Sequence, residues 1–198
     1  MKRLLKAWGL GVGMALLWPW VGCERLARRW AGEDVWFEPQ AEWLSLIPGR
    51  LGVLARAAFY HLSLDGCPLD VGIQHGAIIT QSDARLGAGV YIGIRSIVGH
   101  AAIGEGTLVA DHVQILSGAR HHQPLPGSSR GVHPAAVSRT QRITIGRHCW
   151  IGAQAVVMAS VGDATVVGAG SIVTRPLPAA VTAYGNPARV RSQTGVGM

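Results

Sequence analysis

The 198 residues, 48% of them hydrophobic, suffice for one domain with a packed core plus an appendage. A formal net charge of +7 and a pI near 10.2 call for anionic partners. Nucleic acid is the poorer choice, because the arginines are scattered and no aromatic platform or nucleic-acid motif accompanies them; the three cysteines fit no metal or redox spacing and read as reduced.

Six of the seven tryptophans fall at positions 8, 18, 20, 30, 36 and 43, so the start of the chain differs from everything after it. Ala7 to Cys23 carries no charge, follows Lys2, Arg3 and Lys6, and precedes Arg25, Arg28 and Arg29. That is just the length a bilayer requires. Glycines and Pro19 weaken a clean span, and positive charge on both flanks gives no orientation. No small-x-small cleavage site marks a secretory leader. The expectation is a membrane-embedded or interfacial helix with Trp18, Trp20 and Trp30 at headgroup depth; burial against another protein and cleavage are the alternatives.

Ala41 to Leu62 reads as a helix broken at Pro48-Gly49. Its second piece sets Leu51, Leu54, Ala58 and Leu62 on one face, as a helix capping the open end of a solenoid would. Arg50, Arg56 and His61 are left to other faces, where they could meet an anionic acceptor.

From Leu86 onward one rule repeats: an aliphatic residue, then Gly, then three positions later a small residue, restarting after six. Leu86-Gly87, Ile92-Gly93, Val98-Gly99 and Ile103-Gly104 begin the series, and Ile145-Gly146, Ile151-Gly152, Val161-Gly162 and Val167-Gly168 continue it. This hexapeptide repeat predicts a mainly β solenoid of short parallel strands. The aliphatic residue fills the interior, and the small residue (Cys149, Ala155, Thr165, Ser171) points inward where the walls converge. The glycine is expected to supply unusual dihedrals at a bend. An ordinary parallel sheet would need long helical crossovers, which do not fit between these units.

Taken in threes, the units begin at 86, 92, 98, then 103, 109, 115, then 145, 151, 157, then 161, 167, 173, with a degenerate opening coil around Val71 to Ser82. The unit at Val98 is one residue short and that at Val157 two short, and a long loop, Leu116 to Arg142, follows the unit at Ile115. All three irregularities fall on one corner of the triangle, and a loop this long in a compact repeat is usually functional or disordered.

VQILSGARHH before the loop, ITIGRHCWIGAQAVV after it, VVGAGSIVTRPLP, and AYGNPARV near the end resemble the hexapeptide-repeat acyltransferases, and most closely the sugar O-acetyltransferases of envelope polysaccharides. The resemblance covers about Asp70 to Val190. It implies a left-handed parallel β-helix, a homotrimer, and active sites between subunits where acetyl-coenzyme A lies along the coils. The coenzyme's phosphates and anionic lipid headgroups would then account for the basic charge. The implied domains are a Trp-rich helical region at 1–65, the β-helix at 66–191 with its loop at 116–142, and a tail at 192–198.

Acyl transfer to a hydroxyl needs a base that takes a proton near pH 7, which suits histidine, and backbone amides at tight corners can hold the oxyanion. Sugar acetyltransferases of this fold place that histidine at the start of the loop. Here either His121 or His122 fits, with His122 preferred by similarity to the envelope enzymes. By the same resemblance Trp150 lies near the base and the pantetheine arm, and Ala153 and Ala169 are corner residues bonding the pantetheine. Thr174 follows GAGSIV, and Arg189 in GNPAR lies near the adenosine phosphates. Ser192 stands where relatives carry a second basic residue.

The expected activity is acetylation of a sugar hydroxyl of an envelope or exported polysaccharide, or of its lipid-linked precursor, at the cytoplasmic face of the inner membrane and with no metal. Two other classes remain in view. His100 and His112, with a loop histidine, could hold zinc at a subunit boundary as in a β-helix carbonic anhydrase, and the coils could be a non-catalytic, membrane-tethered trimeric scaffold.

Overall fold

In the computed structural model of the protein the described residues are 36–117 and 141–193, with scattered positions between 11 and 30. Among the described residues, after helical positions between 11 and 30, the helices α1 (Phe37–Ser45) and α2 (Gly49–Ser63) precede fifteen short strands. The strands stack into three faces of a prism. Face one holds β3 (Arg85–Leu86), β6 (Ala101–Ile103) and β9 (Ile143–Ile145), extended by single bridges to Val161 and Leu177. Face two runs β1 (Gly72–Ile73), β4 (Tyr91–Ile92), β7 (Leu108–Val109), β10 (Trp150–Ile151), β12 (Val166–Val167) and β14 (Val181–Gly185), closed by the antiparallel β15 (Ala188–Gln193). Face three runs β2 (Ile78–Ile79), β5 (Ile97–Val98), β8 (Gln114–Ile115), β11 (Val156–Val157) and β13 (Ile172–Val173).

The register follows the repeat. Leu86, Ile103, Ile145, Val161 and Leu177 form one inward column. Ile73, Ile92, Val109, Ile151, Val167 and Ala183 form the second. Ile79, Val98, Ile115, Val157 and Val173 form the third, and all three columns are buried. Small hydroxyls between them join successive coils. Thr107 Oγ1 donates to Gly146 O at 2.7 Å and accepts from Cys149 N at 3.1 Å, and Ser96 Oγ does the same between Ala110 O and Val113 N. At the shortened unit the inward small residue is Ala101, one position before the expected Ala102, which is half-buried.

The glycine expectation is corrected. Glycines directly after the aliphatic residue have no positive φ; a Cβ on Gly146 would lie 2.4 Å from Asp163 N, and one on Gly87 2.4 Å from Glu105 N. They are small because the next coil lies directly against them. The bend comes two residues later, where Gly89, Arg95, Gly106, His112, His148, Gln154, Ala164 and Gly170 take positive φ.

α1 and α2 close the open end of the first coil by replacing the partners a preceding coil would supply. Gly76 N donates to Ser45 O, matching Arg95 N to His75 O one coil on. Ile79 N donates to the Tyr60 hydroxyl at 3.0 Å, and Ile73 O accepts from Arg56 Nε at 3.0 Å. Arg56 Nη1 also donates to Leu44 O, Ser45 O and Ile47 O, the carbonyls left over at the end of α1.

The expected face of α2 is corrected in part. Ala58 is buried and Leu54 and Leu62 pack against the core, but Leu51 is 77% exposed and Arg56 is 0% exposed, because the carbonyls at the end of α1 and of Ile73 in the first coil take a donor from Arg56. His61 Nδ1 bonds Cys67 O at 2.6 Å, so neither Arg56 nor His61 presents a free cation. Among the described residues no helix is long and apolar enough to cross a membrane; of Ala7 to Cys23, positions 11, 14, 15 and 18–23 are described and helical, with Val21 buried in the core and Trp18 and Trp20 exposed.

Candidate active site

The irregular corner is the edge between faces three and one. Stacked along it are Asp83, His100, the two ends of the loop at Ser117 and Gln141, then Ala159 and Ser160, then Thr174 to Pro176. Gln141 N donates to Ser117 O at 3.0 Å, closing the loop's root like one more rung. Beside that root a cleft of about 440 Å³ is lined by Gln141, Ile143, Met158, Ala159, Ser160, Thr174 and Pro176. It lies where the unit at Val157 is two residues short, beside half-buried Met158 and Ser160 and buried Ala159.

Arg142, between two cleft residues, turns along the edge toward the earlier coils. Its Nη2 donates to Asp83 O at 2.9 Å and approaches Asp83 Oδ2 at 3.3 Å, while its Nε donates to His100 Nε2 at 2.9 Å. His100 Nε2 is also 2.9 Å from Asp83 Oδ2. His100 N donates to Ser117 Oγ at 2.9 Å, so the cluster is tied to the outgoing side of the loop as well. Asp83 Oδ1 is buried and has no partner among the described residues.

His121 and His122 lie outside the described residues, in the stretch that this root carries. Thr174 lines the cleft. Trp150, Ala153 and Ala169 do not: Ala153 and Ala169 sit at the edge between faces two and three, and Trp150 stands on face two. Gly170 N donates to Ala153 O at 2.8 Å, so Ala153 and Ala169 belong to corners stacked one on the next. Trp150 faces outward on β10, about half exposed, in register with Leu108 and Val166. Arg189 is exposed on β15 opposite Tyr184, whose ring carries the Arg191 guanidinium at 5.2 Å. Within one chain the expected site residues are thus divided between two edges of the prism.

Cys149 packs inward with Sγ 3.1 Å from Gly162 O. Burial pushes its thiol upward, and pushes that of Cys67 up to about 12, so neither is a nucleophile near neutral pH. His148, His112 and His100 occupy three different edges, and among the described residues no group of three or more His, Cys, Asp or Glu could hold a metal.

Sequence reasoning did not pick out Asp83, Arg142 or the cleft residues Gln141, Met158, Ser160 and Pro176. The signal was present in the unit lengths, since every one of them falls in a shortened, lengthened or interrupted link of the repeat.

Comparison with known proteins agrees with this geometry. The family model described as the hexapeptide repeat of succinyl-transferase matches residues 142–175. Nodulation protein L of Rhizobium leguminosarum bv. viciae is 40% identical over 113 residues, 54% of this chain and 56% of that protein. Galactoside O-acetyltransferase of Escherichia coli strain K12 is 36% identical over 92 residues, 44% of this chain and 41% of that protein. The chain spans about half the length of these curated relatives. A galactoside acetyltransferase solved in complex with coenzyme A superposes with a TM-score of 0.60 over 80% of each chain at 22% identity. That likeness shows the fold, the left-handed parallel β-helix.

Proposed function

We propose that this chain is a hexapeptide-repeat acetyltransferase, a reading supported by the repeat model over residues 142–175 and by its likeness to nodulation protein L and galactoside O-acetyltransferase, and that it transfers an acetyl group from acetyl-coenzyme A to a hydroxyl of a sugar. The observation that carries the reading is the cleft at the loop's root, at the one edge of the prism where the repeat is broken. His122, or His121 beside it, takes the proton of the acceptor hydroxyl. The freed oxygen attacks the thioester carbonyl, backbone amides of the corners hold the oxyanion, and the C–S bond breaks to release the coenzyme thiolate, which takes up a proton.

The division of the expected residues supports a homotrimer. A neighbouring copy that lays its Trp150–Ala153–Ala169 edge against this chain's loop-root edge unites both sets around one cleft. Tyr91, Leu108 and Trp150 on the outside of face two, and Ile97 on face three, are exposed apolar residues that such a neighbour would cover. Thr174 and Arg189 then guide the pantetheine and the adenosine phosphates. The acceptor in this reading is an envelope or exported polysaccharide or its lipid-linked precursor, met at the cytoplasmic face of the inner membrane, where the uncharged stretch Ala7 to Cys23 holds the protein.

The test is release of coenzyme thiol from acetyl-coenzyme A in the presence of soluble saccharides, with mass spectrometry of the product. His122→Ala is expected to lower turnover by roughly a hundred- to ten-thousand-fold with coenzyme binding nearly intact, and His121→Ala to do less. Equal and mild losses for both remove the base assignment, and a wild-type protein that acetylates no sugar hydroxyl overturns the reading.

A further inference from the structure

The helices that close the first coil are apolar on two sides. The buried side of α1 is Phe37, Ala41 and Leu44. On the opposite side Trp36, Trp43 and Leu46 are exposed, Trp43 by 69%, and the apolar run continues through Ile47 in the turn to Leu51 at the start of α2. A surface helix normally gives that side to charge. The acids Glu38 and Glu42 stand on one flank of the strip, and Arg50 follows at its end.

We propose that this strip, Trp36–Trp43–Leu46–Ile47–Leu51, is a docking surface for a lipid bilayer, seated at headgroup depth independently of the stretch Ala7 to Cys23. Three observations favour that occupant. The first is composition: exposed Trp flanked by Leu and Ile is what an interface between hydrocarbon and water selects. The second is charge: over residues 1–51 seven Lys and Arg stand against five Asp and Glu, a net positive balance that suits anionic headgroups. The third is direction. α1 and α2 rest on the end of the prism, bonded to Gly76, Ile73 and Ile79 of the first coil, so the strip faces away from the coils along the prism's axis. Lateral neighbours use the faces, and the strip remains at the end. In the trimer of the proposed function, on which this last step rests, three such strips share one end and form a flat platform.

A probe placed on the strip reads the docking directly. In full-length protein carrying Cys23→Ser, Leu51→Cys is labelled with an environment-sensitive fluorophore; Cys67 and Cys149 are buried and stay unlabelled, and Leu51 is exposed enough that the change leaves the fold alone. Ala179→Cys, exposed near the far end of the prism and away from the loop-root cleft, is the control. With vesicles of mixed phosphatidylcholine and phosphatidylglycerol, emission at position 51 is expected to brighten and shift to the blue, and emission at 179 to stay unchanged. The proposal is overturned if the protein does not sediment with the vesicles. It is also overturned if the protein sediments while position 51 does not respond, or if the probe at 51 is already in an apolar setting without lipid, which would assign the strip to another copy of the chain. Acetyl transfer to a soluble saccharide, measured on the same proteins, is independent of each result, so failure of the docking and failure of the enzymatic reading are distinguishable.

Discussion

His100 Nε2 lies 2.9 Å from Arg142 Nε and also 2.9 Å from Asp83 Oδ2, and one ring nitrogen cannot serve both. Neutral, it accepts from Arg142; carrying a proton, it donates to Asp83 and leaves Arg142 to its contacts with Asp83 alone. Arg142 is therefore the member that holds the cluster together in either state, and it stands at the return end of the loop. Arg142→Ala is expected to cost about 1 kcal/mol, modest because the partners are a third to a half exposed. Asp83→Asn, which keeps the backbone acceptor, should cost roughly half as much. Denaturant midpoints decide it, and no change for Arg142→Ala would show that the link does not fasten the loop's root.

Arg56 gives a larger effect. Its guanidinium is buried and bonds the carbonyls of Ile73, Leu44, Ser45 and Ile47. Arg56→Met keeps much of the volume and strands those acceptors, so the loss should be about 3 kcal/mol or more. Arg56→Lys should recover little of it, since an ammonium cannot reach two helices and a strand in the fork geometry. A melting temperature close to wild type for Arg56→Met would mean that water replaces the arginine at the end of the coil.

The two kinds of glycine should answer differently. At Gly146 a Cβ would sit 2.4 Å from Asp163 N, so Gly146→Ala forces neighbouring coils apart at a cost of about 1–3 kcal/mol or more. At Gly170, with φ of +66° and open space around it, Gly170→Ala pays only the left-handed conformation, roughly 1–2 kcal/mol, and Gly170→Asn less. Thermal melts of the three variants test the order.

The inward columns could be read directly because each is fixed by one short local rule, and a slip of one residue would turn Ile151 or Val167 out to solvent. The edge bearing the site was legible in the same way, from where the units lose or gain residues. The cluster of Asp83, His100 and Arg142 was not, because its members belong to three different links and become neighbours only when links of unequal length are laid one on another. The burial of Arg56 on α2 was missed for another reason. Periodicity counts apolar residues, and Arg56 is held by the carbonyls of Leu44, Ser45 and Ile73, which no pattern in α2 itself records. Ala101 took the place expected of Ala102 because a unit of five residues shifts the pleat by one.

Alkali should weaken the fold through its buried thiols. The Cys67 thiol is pushed from 9.0 up to about 12, chiefly by burial and then by the nearby charge of Asp70, and Cys149 and Tyr60 are raised as well, both mainly by burial. Between those two values the unfolded chain has released the Cys67 proton that the folded chain keeps, so stability is intact below about pH 9 and declines as pH rises toward 12. Cys67→Ala should flatten part of that decline in melts taken across the window. A wild-type curve that is level from pH 9 to 11 would contradict the burial of the thiol.

The last prediction separates the cleft from the fold. Thr174 is exposed and lines the space beside the loop root. A bulky residue there meets no core, so Thr174→Trp should change stability by no more than about 0.5 kcal/mol. It should nevertheless obstruct whatever enters the cleft. If the pantetheine arm runs past Thr174, the KM for acetyl-coenzyme A should rise about tenfold or more, because the lost contact is made in ground state and transition state alike. Arg189→Ala, at the exposed hairpin, should raise the same KM by less, near fivefold for about 1 kcal/mol of solvent-screened attraction, and that increase should shrink as salt is added. The Thr174→Trp effect should be indifferent to salt. A Thr174→Trp enzyme with unaltered KM and kcat would place coenzyme binding away from this edge, and the division of the site between two edges of the prism would then need another explanation.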